Sequence, residues 1–156
     1  MTTRRDFLLH AGYSSALISA AITFASPAFA DKAPVYANRG VAIRGTDPVA
    51  YFTQNRAVRG HKDFSFMHDG AEFRFSSAEN LALFAKDPEK YAPQYGGYCA
   101  WAVSLGYTAS TIPEAFSIVD GKLYLNYSLR VRSQWESDRD NRIILADQNW
   151  PAVLAQ

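Results

Sequence analysis

The chain has 156 residues, of which 48% are hydrophobic and 20% charged, and its formal net charge is +1. This composition is typical of one globular domain and excludes a disordered chain. The part after residue 30 carries 14 basic and 14 acidic residues, because Arg4, Arg5 and Asp6 precede it. A neutral domain offers no electrostatic reason to bind nucleic acid or an anionic membrane.

Residues 1–30 have the pattern of an export signal. Arg4 and Arg5 form a twin-arginine pair, and the apolar stretch after them is shorter than the about 20 apolar residues of a membrane-spanning helix. Ala28-Phe29-Ala30 has the small residues of a cleavage site. We therefore expect twin-arginine export to the periplasm, cleavage after Ala30, and no stable membrane insertion of the mature protein. The alternative is an uncleaved amphipathic anchor.

The mature chain begins with a polar, glycine-containing stretch over residues 31–45, which predicts a leader, and residues 46–156 predict one domain. Asp47-Pro48 predicts the start of a helical turn. An aspartate caps the first N–H groups of a helix, and proline fits the first helical position because its missing N–H is not needed there.

Two Asp-Gly pairs predict two tight β-hairpins. The pair at 69–70 lies between alternating runs at 64–68 and 72–75, and the pair at 120–121 lies between runs at 116–119 and 122–125. Because side chains alternate along a strand, the first strand should place on one face Phe64, Phe66 and His68.

The helices are expected between and after these hairpins. Ser76 to Glu79 has the pattern of a capping box with Ser76 as the cap, and Asp87-Pro88 predicts a short turn through Tyr91. A helix over about 98–105 follows two glycines, and Ser128 is expected to cap a longer C-terminal helix. The sequence predicts an α+β domain in which two antiparallel hairpins pack against several short helices and this longer one.

Catalytic motifs are absent from the sequence. The chain has no glycine-rich phosphate loop, no Gly-x-Ser-x-Gly and no His-Glu-x-x-His, so we do not expect an enzyme. The single cysteine, Cys99, excludes an internal disulfide. A thiol enzyme that uses Cys99 with a histidine is the remaining catalytic alternative, and a small buried thiol beside Tyr98 and Trp101 is the structural one.

Long runs of the mature sequence resemble the exported, single-domain branch of the YHS-domain family. They are Asp47-Pro48-Val49-Ala50-Tyr51-Phe52, Phe73-x-Phe75-x-Ser77-x-Glu79-Asn80, Phe84-x-x-Asp87-Pro88-x-x-Tyr91-Ala92-Pro93-Gln94-Tyr95-Gly96-Gly97-Tyr98-Cys99-Ala100, Asp120-Gly121-Lys122-Leu123-Tyr124-Leu125-Asn126-Tyr127 and Ala146-Asp147-x-Asn149-Trp150-Pro151. The resemblance implies a module in which cysteines after the second strand bind metal. Here Ser76 and Asn80 stand at those positions, and both are poor ligands for soft metals.

A different metal site is one hypothesis for the function. Cys99 with His68, and with His61 or Met67, would supply a thiolate, imidazoles and a thioether, a set that suits copper. Cys99 is expected to open a helix, where the pKa of a thiol is lowered. The structural alternative is a histidine at the edge of the core and a buried cysteine.

A ligand pocket without metal is the second hypothesis. Tyr95, Tyr98 and Trp101 are its expected lining, within a larger set of aromatic residues that could equally form core with hydroxyls at the rim. The sequence thus predicts an exported binding protein, which handles a soft metal ion such as copper or binds a small molecule or protein partner.

Overall fold

The computed structural model describes residues 31–156, so the expected export signal, with Arg4, Arg5 and Ala30, lies outside the described residues. The elements are β1 (Ala37–Asn38), β2 (Val41–Ala42), α1 (Pro48–Gln54), β3 (His61–His68), β4 (Ala71–Phe75), α2 (Ala78–Lys86), α3 (Pro88–Tyr91), α4 (Ala100–Ser104), β5 (Phe116–Val119), β6 (Lys122–Leu125), α5 (Leu129–Ser137) and α6 (Arg139–Asn149). The predicted α+β class is confirmed. None of the helices in this part of the chain combines the length and the apolar character that a membrane crossing requires.

The first sheet has the strand order β1-β2-β4-β3. β3 and β4 form the predicted antiparallel hairpin, and β2 pairs in parallel with β4 at Val41 and Glu72. Residues 31–45, expected as a leader, therefore supply two strands, and Val35, Ala42 and Ile43 are buried in the core. Strands of two residues are too short for an alternating pattern, so the sequence did not indicate them.

The second sheet is the β5–β6 hairpin. Asp120 and Gly121 both have positive φ, 50° and 73°, as a type I′ turn requires. The two faces of this hairpin contact different parts of the core. One face packs against the first sheet and α1, and the other packs against α5 and α6, where Trp135 is fully buried.

Three helix boundaries differ from the sequence prediction. The cap of α2 is Ser77, whose Oγ accepts a hydrogen bond from the Asn80 N–H, so the prediction of Ser76 is wrong by one residue. α4 spans only Ala100–Ser104, because the backbone of Cys99 is still extended. Ser128 caps α5 as predicted, but the expected long helix is interrupted at Asp138 and continues as α6.

Candidate functional site

The candidate site is an open cleft of about 360 Å³, which we call the His68 cleft. It lies where the turn of the first hairpin, α3, the segment before α4 and the end of the chain come together. Its walls are formed by Pro34, Val35, His68, Asp69, Phe73, Glu89, Ala92, Pro93, Gln94, Tyr95, Gly96, Trp150, Pro151 and Leu154.

His68 is held at the end of β3 by two aromatic rings. Its own ring contacts those of Phe84 and Phe73 edge to face, with centroids 5.7 and 6.0 Å away. The Nε2 atom lies 3.4 Å from the Asp69 carboxylate, and 24% of the His68 side chain is exposed. His68 shares the inner face of β3 with Phe64 and Phe66, as the alternation predicted. The imidazole is thus fixed in position but open to the cleft.

Tyr95 forms another part of the wall. Its hydroxyl donates a hydrogen bond of 2.8 Å to the Asp147 carboxylate, and its ring centroid lies 6.0 Å from that of Trp150. Burial and the adjacent Asp147 raise the pKa of Tyr95, so its hydroxyl stays protonated. Gly96 is required beside it, because a Cβ there would overlap the carbonyl oxygen of Pro34.

The cleft contains more acidic than basic side chains. Besides Tyr95, the ionisable side chains of its lining are His68, Asp69 and Glu89, and the lining contains neither lysine nor arginine. Asp69 and Glu89 are both exposed. From the sequence, Asp69 was predicted only as a turn residue, Trp150 was noted only as part of the resemblance, and Glu89 was not a candidate. The cleft therefore presents two carboxylates beside aromatic surface.

Cys99 lies in a different place. It is 1% exposed, and its Sγ donates a hydrogen bond of 3.7 Å to Asn126 Oδ1. Burial raises the pKa of the thiol and outweighs the N–H groups of the first turn of α4, so the expected lowering is wrong. Cys99 lines a separate, mainly apolar cavity, with Trp101, Ala102, Tyr107, Ala109, Tyr127 and Val131.

The other expected metal ligands are also apart. His61 is exposed at the opposite end of β3 from His68, and its Nδ1 accepts a hydrogen bond of 3.3 Å from the Asp63 N–H. Met67 is 63% exposed on the outer face of the strand. Within residues 31–156, no group of three or more His, Cys, Asp or Glu side chains could hold a metal ion. The structure thus does not bring Cys99, His68 and His61 into one site.

The expected aromatic pocket is divided as well. Tyr98 donates its hydroxyl to the Ala33 carbonyl oxygen at 2.9 Å and packs against Tyr36. Trp101 stacks under the guanidinium of Arg142, whose Cζ lies 4.2 Å from the ring centroid. Of Tyr95, Tyr98 and Trp101, the His68 cleft contains only Tyr95.

Ser76 and Asn80, the positions where the resemblance would place metal-binding cysteines, bind a buried carboxylate. Asp47 Oδ2 accepts hydrogen bonds of 2.6 Å from Ser76 Oγ and 2.7 Å from Asn80 Nδ2. Both side chains therefore connect the start of α2 to the start of α1.

Comparison with known proteins found no relative: no family model matches the chain, and no curated protein sequence or solved structure matches it significantly.

Proposed function

We propose that this chain is an exported, YHS-like binding protein whose His68 cleft binds a small organic cation. The export signal and the family resemblance support the first part, and the cleft supports the second. The observation that carries the proposal is the cleft's charge: Asp69 and Glu89 belong to its lining, which contains no lysine or arginine, and His68, 3.4 Å from Asp69, is its one other charged or titratable side chain besides Tyr95.

An aromatic side chain of the lining suits the same ligand. Faces of tryptophan, tyrosine and phenylalanine attract an ammonium group when it is partly removed from water. Trp150 is half-buried and lines the cleft together with the two carboxylates, whereas Tyr95 and Phe73 are almost fully buried in its wall. A small, mostly apolar pocket with a few polar groups that set the orientation is the usual form of a ligand site.

The cleft supports binding better than catalysis. Its lining contains no serine, threonine, cysteine or lysine to act as a nucleophile. The Tyr95 hydroxyl donates to Asp147, and its pKa is raised, so it is a poor nucleophile at neutral pH. His68 and Asp69 can orient a ligand that donates hydrogen bonds.

The test is a titration with tetramethylammonium, followed by the amide chemical shifts of the purified protein. Shifts should be confined to residues around the cleft. Glu89→Gln and Asp69→Asn should each weaken binding roughly threefold to fivefold, since each removes one partly solvated charge. Glu79→Gln on α2 removes an exposed carboxylate outside the cleft and should leave the affinity unchanged. Equal affinity in all four proteins would contradict the proposal.

Copper binding is the second candidate, because the His68 imidazole is accessible in an open cleft. Copper(I) is titrated against a competing chelator, and purified protein is analysed for bound metal. Under this candidate His68→Ala should lose the ion, whereas Cys99→Ser should keep it, because Cys99 belongs to another cavity. Loss of the ion in both variants would instead favour a shared thiolate–imidazole site and would count against the organic cation.

A further inference from the structure

The β5–β6 sheet has one open edge. The outer side of β6 is paired at Leu123, which forms a parallel bridge with Pro93. β5 pairs only with β6, and in the part of the chain that the structure describes no third strand adds to it. An unpaired strand edge offers a row of main-chain donors and acceptors to another extended chain.

The hydrogen-bond register shows which groups point outward. In an antiparallel hairpin with a two-residue turn, the pair next to the turn exchanges hydrogen bonds, and every second pair does so after it. The Asn126 N–H donates to the Ala115 carbonyl oxygen at 2.9 Å, which fixes this alternation at the other end of the hairpin. The N–H and C=O groups of Phe116 and Ile118 therefore point away from β6.

A groove of about 500 Å³ runs along this edge, and we call it the β5 groove. Its lining is Asn55, Phe116, Ser117, Ile118, Val119, Arg132, Glu136 and Arg139. Asn55 ends α1 on one side, and α5 with the start of α6 lies on the other side. The helix side is fixed to the strand, since Ser117 Oγ donates a hydrogen bond of 2.7 Å to Glu136 Oε1. The groove therefore has a wall on each side of β5, and the outward main-chain groups of this strand are the ones to which an extended chain would add.

The charges along the groove indicate the chemistry of its occupant. The lining contains two arginines, Arg132 and Arg139, and one carboxylate, that of Glu136. This carboxylate already accepts a hydrogen bond from Ser117 and lies 3.2 Å from Arg132 Nε. Arg139 Nε lies 3.2 Å from Asp140, which is 85% exposed, and an exposed pair of this kind contributes little and is easily exchanged. The groove therefore has positive charge available for an acidic ligand.

We propose that the β5 groove binds an extended peptide segment of a partner protein, which adds as a strand to β5 and places an acidic side chain at Arg139. The main-chain groups of Phe116 and Ile118 supply the affinity, as in strand addition to other sheets. Arg139 favours a peptide with an acidic side chain over one with a basic side chain. This surface is separate from the His68 cleft, with which it shares no lining residue.

The probe is a capped six-residue peptide of alternating threonine and valine with one central glutamate. The control peptide has lysine in place of the glutamate. Amide exchange of the full protein is measured by NMR during titration. The glutamate peptide should slow exchange at Phe116 and Ile118, and the lysine peptide should bind about tenfold more weakly. Arg139→Glu should reverse this preference. Arg130→Glu, which changes the same charge on α5 outside the groove, should not.

A second variant removes the donor itself. Ile118→Pro deletes the outward N–H, and Ile118→Ala shortens the same side chain but keeps that N–H. Binding should be lost in the first and retained in the second. Unchanged amide exchange at Phe116 and Ile118 with the glutamate peptide overturns the proposal. Equal binding of both peptides, in wild type and in Arg139→Glu, overturns it too. Because Arg139 is exposed, this second test remains valid even if the proline variant does not fold.

Discussion

Asp47 shows at the scale of one residue how the fold depends on a buried polar group. It is fully buried, and its two oxygens accept from the N–H groups of Val49, Ala50 and Ser76 and from the side chains of Ser76 and Asn80. A buried carboxylate is tolerated when its hydrogen bonds are made, and its removal leaves the donors without an acceptor.

We expect Asp47→Ala to lower the free energy of unfolding by about 3–5 kcal/mol, because it leaves several buried donors without an acceptor at about 1–3 kcal/mol each. Asp87→Ala is the matched control, because Asp87 is an exposed helix cap that accepts from the Lys90 N–H, and it should cost about 1 kcal/mol. Urea unfolding of the three proteins measures the difference. Similar losses in the two variants would show that the buried network adds nothing beyond a helix cap.

Tyr95 predicts a dependence of stability on alkaline pH. Burial and Asp147 raise its pKa in the folded protein, whereas an unfolded chain releases the proton near pH 10. Stability from this group is therefore complete below about pH 10 and declines as the pH rises further. Tyr95→Phe should reduce that decline, and Tyr127→Phe, at an exposed position, controls for the loss of a hydroxyl. Urea unfolding between neutral and alkaline pH tests this, and identical slopes in wild type and Tyr95→Phe would contradict it.

At the scale of an element, the turn of the β5–β6 hairpin requires a backbone conformation with positive φ. Gly121 has a φ of 73°, and a Cβ added there would meet no atom within 4 Å. Gly121→Val should therefore cost roughly 1–3 kcal/mol through backbone strain alone. Gly121→Asn should cost less, because asparagine tolerates a positive φ. Thermal melting compares the two, and an unchanged Tm for Gly121→Val would show that the turn does not limit stability.

At the scale of the whole molecule, the segment that begins at residue 31 is part of the fold. The Lys32 N–H donates to the Leu154 carbonyl oxygen at 2.8 Å, and the Tyr36 N–H donates to that of Gly96 at 2.9 Å. Ala28-Phe29-Ala30 predicts cleavage after Ala30, so the exported protein should begin at Asp31 by intact mass. Such a cleavage would leave these contacts intact. Replacement of both Arg4 and Arg5 by lysine should retain the protein in the cytoplasm. Efficient export of that double variant would reject the twin-arginine route.

The local features of the fold could be predicted from the sequence. Both Asp-Gly hairpins and the caps at Asp47 and Ser128 were predicted correctly, because a turn or a helix cap depends on residues a few positions apart. The sequence did not predict that the longer C-terminal helix is interrupted at Asp138, because this interruption accompanies the packing of α5 and α6 around Trp135.

The site could be predicted only in part. His68 was a candidate metal ligand and Tyr95 a candidate residue of an aromatic pocket, so the sequence assigned to two different sites residues that line one cleft. Asp69, Glu89 and Trp150 join them in the cleft from distant parts of the chain. The sequence by itself determined the α+β class, the hairpins and the candidate side chains, because these depend on composition and short spacing. Only the tertiary structure decided that Cys99 is buried beside Asn126 while His68 opens to the acidic cleft, because burial and proximity depend on how distant segments pack.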